Sequence, residues 1–226
     1  METKPTDSQA NLDAMRNLTQ YRYDEIPEEK ESFYMMTKEE RIQSIEDAVR
    51  VILYAIGEDP EREGLVGTPN RVARMYIGEL STGYSGTLDE VFGSALFEEG
   101  HDEMVLVKNI PLFSLCEHHM VPYHGNAHVA YIPKNGMIVG ISKLARLVEK
   151  ASRRLTIQER LTSEIADSIE RVLHPEGVMI TIEAEHMCMC MRGVEKPGTK
   201  TTTSVVRGVF KYNDAARNEF LQLIKS

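Results

Sequence analysis

Apolar residues recur at steps of three and four between residues 42 and 56, the spacing of one face of an α-helix. The preceding T-K-E-E has the form of a capping box, so we expect this helix to begin at Thr37. A second helix is predicted from Thr68 to Gly83, with Thr68 as its cap and Pro69 in its first turn. Both lie in an N-terminal helical region, residues 37–100. The predicted buried stripe of the first helix is Ile42, Ile45, Val49, Ile52 and Ile56.

The pattern changes near residue 101, where β-branched or alternating runs bounded by Pro, Gly and Asn predict strands. In IPKNGMI, the turn residues predict a hairpin that joins the second and third strands. Strands followed by helices and then strands predict an α+β domain over residues 101–226, an antiparallel sheet with two helices on one face. The predicted strands are 103–110, 126–133, 136–142, 177–190 and 202–210. The first helix is predicted to start near Ser142 and to bury Leu144, Leu147, Val148 and Ala151. The second is predicted to start near Thr156 and to bury Ile157, Leu161, Ile165 and Ile169.

Residues 1–36 are polar and lack apolar periodicity, so we predict a flexible tail. The chain shows neither a signal-peptide core nor an apolar run long enough to span a bilayer, and we expect no membrane association. Three cysteines without a secretion signal favour a reducing, cytoplasmic setting. The net charge of −9 argues against nucleic-acid binding, although a local basic pocket could still hold a small anion.

All three cysteines lie in two histidine-containing stretches, LCEHHMVPYHG (115–125) and EAEHMCMCMRG (183–193). Thiolate and imidazole are good zinc ligands, and a catalytic zinc usually has three protein ligands and a water. Cys116 with either His118 or His119, joined by Cys188 or Cys190, would supply three. The alternatives are a closed structural site with a fourth ligand and ordinary burial of each cysteine as a small apolar residue.

If the fourth strand extends through residue 190, one of its faces carries unusual chemistry. His186, Cys188, Cys190 and Arg192 share parity and would point to the same side, whereas the intervening methionines would point to the other. Imidazole, thiols and guanidinium together make a poor core, so this face is predicted to belong to a functional site.

The starts of the two predicted helices carry further candidate site residues. Ser142 is a plausible cap whose helix N-terminus would favour a phosphate, with Lys143 and Arg146 on one side of that helix. The alternative is a solvated basic face, and the chain lacks the G-x-x-x-x-G-K-[ST] motif of P-loop phosphoryl transfer. In T-I-Q-E, Glu159 occupies the position of a capping-box glutamate, and the residues alone favour that structural role.

Together these segments resemble the GTP cyclohydrolase I family over about residues 40–226. The motifs are FSLCEHHMVPYHG, GISKLARLVEKASRRLTIQERLT, EAEHMCMCMRG and TTSVVRGVF, with GLVGTPNRVARMY upstream. The resemblance implies a tunnelling fold, in which subunits pool their sheets into an oligomeric barrel. It also implies a toroidal homodecamer with active sites at subunit interfaces, which converts GTP and water to 7,8-dihydroneopterin triphosphate and formate.

The resemblance also implies roles for individual residues. Zinc would lower the pKa of a bound water toward about 7, and hydrolysis would begin at C8 of the purine. The implied assignments are Cys116, His119 and Cys188 as zinc ligands, His118 and His186 as proton-transfer residues, Gln158 and Glu159 as guanine-recognition residues, and Ser142, Lys143, Arg146, Arg192 and Arg71 as triphosphate-binding residues, with Arg71 coming from a neighbouring subunit.

Three positions depart from the family's usual pattern: His124, Asn126 and Cys190. None of them is given a role by the resemblance. A different zinc hydrolase such as a base deaminase is a rival class, but its H-x-E…P-C-x-x-C signature is absent. A non-catalytic purine- or pterin-binding relative is the other. No motif distinguishes folate from tetrahydrobiopterin synthesis or indicates a feedback regulatory protein.

Overall fold

A computed structural model describes residues 36–225. The predicted tail, residues 1–36, lies outside this range except for Met36. The chain divides into two compact units between Ile77 and Gly78. Within residues 36–225, no helix combines the length and the apolar character that a membrane crossing requires.

The N-terminal unit contains α1 (Lys38–Ala55) and α2 (Thr68–Met75), which pack against each other. The predicted capping box of α1 is confirmed: the Glu40 N–H donates to Thr37 Oγ1 (3.2 Å), and the Thr37 N–H donates to Glu40 Oε2 (2.7 Å). The buried stripe is partly wrong, because Ile52 and Ile56 are 57% and 69% exposed. Leu53 is buried instead, about 100° around the helix from Ile52.

The second helix also differs from its prediction. Gly67 is its N-cap and Thr68 its first residue, so Thr68 is not the cap. The α-helix ends at Met75 rather than continuing to Gly83. A π-helical turn, Tyr76–Leu80, follows and contains Gly78, a residue with low helix propensity.

The C-terminal unit is built on a five-stranded sheet whose strand order is β5-β2-β3-β6-β7. Neighbouring strands are antiparallel except β2 and β5, which are parallel. The predicted α+β architecture with an antiparallel sheet is therefore confirmed. The strands are β1 (Leu96–Glu98), β2 (Val105–Cys116), β3 (Pro122–Ile132), β4 (Met137–Val139), β5 (Leu155–Thr156), β6 (Gly177–His186) and β7 (Lys200–Gly208).

The predicted hairpin between β3 and β4 is wrong. Asn135 and Gly136 form the turn with φ of 53° and 71°, but β4 pairs antiparallel with β1 in a separate two-stranded sheet. The Val139 N–H donates to the Tyr131 hydroxyl (3.1 Å), so a side chain rather than the β3 backbone receives it.

Two helices, α3 (Ile141–Ser152) and α4 (Gln158–Leu173), cover one face of this sheet. Their predicted buried residues are confirmed except Ile157, which is half-buried.

Two helices after β7 are not predicted from the sequence pattern, namely α6 (Val209–Tyr212) and α7 (Asp214–Lys225). Their Phe210 and Phe220 pack with Ala130 and Met179. Since Val129 and Ile180 lie in the core beneath α3 and α4, alternation along the strands places this second cluster on the opposite face.

Residues 78–100 belong to the C-terminal unit, although the change in sequence pattern suggests a boundary near residue 100. Phe92 lies in the main core. Asp89 accepts hydrogen bonds from Ser168 (2.6 Å) and from Arg171 (2.9 and 3.0 Å), both on α4. Single anchoring contacts of this kind leave no periodic signal in the sequence.

Candidate active site

The first site element is the tight turn between β2 and β3. The Met120 N–H donates to Cys116 O (2.8 Å), and the Cys116 N–H donates to Val121 O (2.9 Å). Met120 adopts a left-handed conformation (φ 54°) that reverses the chain. As a result His119 folds over the end of β2, and its Nδ1 lies 3.7 Å from Cys116 Sγ.

The second element is a helical turn after β6, where the strand prediction is wrong. β6 ends at His186, and α5 (Met187–Cys190) follows, closed by the Met191 N–H donating to Met187 O (3.1 Å). In a helix, positions two apart point about 200° from each other, so Cys188 and Cys190 do not share a face. Cys188 joins Cys116 and His119, whereas Cys190 Sγ donates to Glu185 Oε1 (3.1 Å).

Together Cys116, His119 and Cys188 form a plausible metal group, with all three donor atoms within 4.8 Å of one another. Two thiolates and one imidazole form a known ligand set of catalytic zinc, in which tetrahedral bonds of about 2.3 Å place sulfur ligands about 3.8 Å apart. Cys116 is buried and His119 is exposed, so the group is open on one side. The residues therefore fit a zinc ion with a free fourth position.

Burial raises the pKa of the Cys188 thiol, and the adjacent Cys116 thiol raises it further. A bound cation would reverse this preference, because thiols bind zinc as thiolates. His118 is exposed and is not part of the group, and its Nε2 lies 3.9 Å from Glu117 Oε1. Of the two adjacent histidines, the structure brings His119 to the thiols.

His186 precedes Cys188 by two residues, and its ring is held from two sides. Its ring stacks on Tyr123, with centroids 4.5 Å apart and planes at 10°. Its Nε2 lies 2.8 Å from Oε1 of the buried Gln158. The amide nitrogen of Gln158 in turn donates to Ile182 O (2.9 Å), Thr201 O (3.0 Å) and Thr203 Oγ1 (3.1 Å).

These contacts fix the tautomer of His186. Two of the three acceptors around the Gln158 nitrogen are backbone carbonyls, so that atom must be the NH₂ group. The Gln158 oxygen therefore faces His186, and the imidazole must donate from Nε2. Nδ1 is left to accept or release a proton. Burial lowers the pKa of His186, and the nearby charge of Glu159 partly opposes that change.

Glu159 lies in the first turn of α4, but the predicted capping box is wrong. The N-cap is Ile157, and within the described chain no side-chain cap hydrogen bond is made to this helix. Thr156 Oγ1 instead donates to Ile157 O (3.1 Å). The exposed Glu159 is thus free of the structural role that the residues alone favoured, and its charge acts on His186.

Ser142 is likewise not the cap of α3, which begins after Gly140. Lys143 and Arg146 line a cavity of about 420 Å³ whose lining does not include the metal group. Arg192, by contrast, lies on the metal side, with Nη1 3.4 Å from His119 Nε2. Arg71 belongs to the N-terminal unit, where its Nη2 donates to Thr68 Oγ1 (2.7 Å).

An ion pair that the sequence pattern does not predict involves Glu117, the residue after Cys116. Arg160 on α4 donates to both carboxylate oxygens of Glu117, at 2.6 and 3.3 Å. Hydrogen bonding to Arg160 lowers the pKa of Glu117. The pair ties the turn of His118 and His119 to the helix of Glu159. The two residues are 43 positions apart, and no spacing rule connects them.

Comparison with known proteins identifies the family of this chain. Among similar curated proteins named GTP cyclohydrolase 1, that of Pelotomaculum thermopropionicum is 60% identical over 181 residues, covering 80% of this chain and 95% of that protein. The proteins of Geobacillus kaustophilus and Bacillus subtilis are 59% and 58% identical, covering 80% and 83% of this chain and 96% and 98% of their own. The family model for GTP cyclohydrolase I matches residues 45–225, and the chain belongs to that family.

Proposed function

We propose that Cys116, His119 and Cys188 hold the zinc ion with which this GTP cyclohydrolase opens the imidazole ring of GTP. The enzyme hydrolyses GTP and rearranges its rings to give 7,8-dihydroneopterin triphosphate, with C8 released as formate. The observation that carries the proposal is the approach of three zinc-type donor atoms to within 4.8 Å of one another. A zinc ion bound there would supply Lewis-acid activation of water, whose pKa falls to about 7 at such a metal.

His186 and His118 transfer protons to and from the substrate. The Nε2–H of His186 is occupied by Gln158, so His186 exchanges its proton with the substrate at Nδ1. It serves N7 of the purine, since ring opening at C8 needs a proton on that nitrogen. His118, exposed on the same turn as His119, serves the ribose oxygen when the sugar opens. Imidazole titrates near neutral pH, which suits a sequence of proton transfers.

Glu159 recognises guanine. The base presents N1–H and 2-amino donors along one edge, and an ionised carboxylate accepts from both at once. The Glu159 side chain does not cap α4, and its charge partly opposes the lowering of the His186 pKa by burial. Both observations support a position for the guanine base between Glu159 and His186. Gln158 contributes through His186 rather than by touching the base, because its buried amide is occupied by protein partners.

Ser142, Lys143, Arg146, Arg192 and Arg71 bind the triphosphate, with contributions from more than one subunit. The cavity of Lys143 and Arg146 does not include the metal group of its own chain, which supports a site completed by a neighbour. In the described chain β7 pairs only with β6, and β5 covers only Leu115 and Cys116 of β2. These open edges support a tunnelling fold, in which the sheets of neighbouring subunits pair edge to edge to form a barrel. The subunits would then assemble as a toroidal decamer.

The decisive assay combines turnover with metal content. Purified protein is incubated with GTP, and formate and the fluorescent oxidised pterin are measured together with zinc per subunit. We expect both products, with loss of activity on chelation and recovery on addition of zinc. Ammonia without formate would indicate a deaminase, and zinc-containing protein without any product would indicate a binding protein.

Replacing Arg146 with alanine is expected to weaken GTP binding by about ten- to a hundredfold, because charge-assisted hydrogen bonds to phosphate are lost. Guanosine lacks the phosphates and should bind with nearly unchanged affinity. Both affinities are measured by calorimetry on the same preparations, so guanosine serves as the internal control. Equal losses for the two ligands would contradict a phosphate role for Arg146.

Mixed oligomers test the shared site. Subunits carrying Cys188→Ser and subunits carrying Arg146→Ala are co-expressed with different tags, and oligomers with both tags are assayed at low GTP. If the metal group and Arg146 of one site come from different chains, about a quarter of the sites regain both intact parts. Homogeneous oligomers of either variant are the controls. Activity no higher than the mean of the two controls would show that each site lies within one chain.

A further inference from the structure

A single carboxylate joins the two ends of the segment that carries Arg192. Glu185 Oε1 accepts a hydrogen bond from the Gly198 N–H (2.7 Å) and another from Cys190 Sγ (3.1 Å). Cys190 precedes residues 191–199, which we term the Arg192 loop, and Gly198 lies near its end. Glu185 itself is fixed on β6, where it pairs with His124 of β3 and Lys200 of β7.

The other backbone hydrogen bonds of the Arg192 loop run within the loop and to α5. The Lys196 N–H donates to Met189 O (2.9 Å), and Cys190 Sγ lies 3.8 Å from Lys196 O. The loop contains two glycines with positive φ, Gly193 and Gly198, and its residues are exposed. An exposed loop with glycines can adopt several conformations, so hydrogen bonds that tie its two ends together reduce its conformational entropy.

The Glu185 carboxyl group is well suited to accept both hydrogen bonds. The Gly198 N–H, and then the Cys190 thiol, lower the pKa of this carboxyl, with help from the charges of His124 and Lys200. Glu185 is therefore ionised at neutral pH, and both hydrogen bonds are charge-assisted, which makes them stronger than neutral ones.

We propose that Glu185 is a positioning residue that closes the Arg192 loop and so presents Arg192 to the triphosphate of the substrate. The inference rests on the proposed phosphate role of Arg192 and adds to it a residue that touches neither substrate nor metal. Arg192 already lies 3.4 Å from His119, so the closed loop holds its guanidinium beside the metal group before substrate arrives. Such preorganisation increases affinity by reducing the ordering cost of binding.

The test uses Glu185→Ala and a matched control, Glu183→Ala. Glu183 lies two residues earlier on β6, on the same face, and its carboxylate pairs with Lys200 (2.7 Å) rather than with the loop. Glu185→Ala is expected to raise KM for GTP about tenfold, with kcat and zinc content within about twofold of the parent enzyme. Glu183→Ala should change none of the three.

Two further variants keep the test informative if Glu185→Ala folds poorly. Glu185→Gln retains an oxygen that accepts from Gly198 and Cys190, so KM should stay within about threefold of the parent value. Cys190→Val removes one donor and leaves the other, and should raise KM by about two- to threefold. A Glu185→Gln variant as impaired as Glu185→Ala would show that closing the loop is not what Glu185 does.

A double-mutant cycle separates this inference from the function on which it rests. If Glu185 acts through Arg192, Glu185→Ala should add nothing to the KM of Arg192→Ala. Full additivity, or an unchanged KM in Glu185→Ala, would overturn the positioning role while leaving Arg192 as a phosphate ligand. An unchanged KM in Arg192→Ala would overturn both.

Discussion

Cys188→Ser is expected to lose zinc and more than about a hundredfold in turnover, whereas Cys190→Ser keeps both close to the parent enzyme. The reason is geometric: α5 turns Cys188 toward Cys116 and His119, and turns Cys190 toward Glu185. Changes in residues that merely support metal ligands cost about ten- to a hundredfold, so loss of a ligand should cost more. Zinc per subunit and formate release are measured on both variants.

The two cysteine variants control each other, since the chemical change is identical. Serine at position 190 can still donate to Glu185, so the Arg192 loop should stay closed. Zinc lost from the Cys190 variant but retained in the Cys188 variant would reverse the ligand assignment. Zinc lost from both would indicate a closed site with four protein ligands, which leaves no position for a reacting water.

Glu159→Gln is expected to lower kcat/KM for GTP by at least about a hundredfold while leaving the melting temperature nearly unchanged. Glutamine cannot accept two hydrogen bonds from the guanine edge as a carboxylate does, and each charge-assisted bond is worth about a factor of ten or more. Stability should persist because Glu159 caps nothing in α4. Steady-state kinetics and thermal unfolding are compared on one preparation.

Glu170→Gln is the matched control for this variant. Glu170 lies on the same helix, where its carboxylate is 3.9 Å from Arg207. It should retain full activity. If Glu159→Gln were as active as Glu170→Gln, guanine recognition would have to lie elsewhere. If it were inactive but strongly destabilised, Glu159 would have a structural role that its exposure does not suggest.

The two capping-box patterns show how far local sequence determines structure. T-K-E-E at Thr37 forms the box, because within residues 36–225 no other group takes up the Thr37 hydroxyl or the Glu40 carboxylate. T-I-Q-E at Thr156 does not, because Thr156 is drawn into β5 and pairs with Cys116 of β2. The competing partner is 40 residues away, and helix-start rules consider only neighbours in sequence.

The metal group and its surroundings differ in how far the sequence predicts them. The donor types in two short stretches predicted a zinc group, and the structure brings Cys116, His119 and Cys188 together. Beyond His186 the side chains do not alternate as in a strand, because a helical turn replaces the predicted strand. The contact between Glu117 and Arg160, and the four partners of the Gln158 amide, depend on tertiary packing that periodicity does not encode.

The two-residue strand β5 has a consequence for how this family can vary. Pairing with β2 holds Thr156 next to Cys116, and α4 begins two residues later with Gln158 and Glu159. Inserting or deleting one residue between β5 and α4 would rotate both side chains by about 100° around the helix axis. Loops elsewhere can change length at little cost. Over evolutionary time this junction should therefore accept substitutions but resist changes in length.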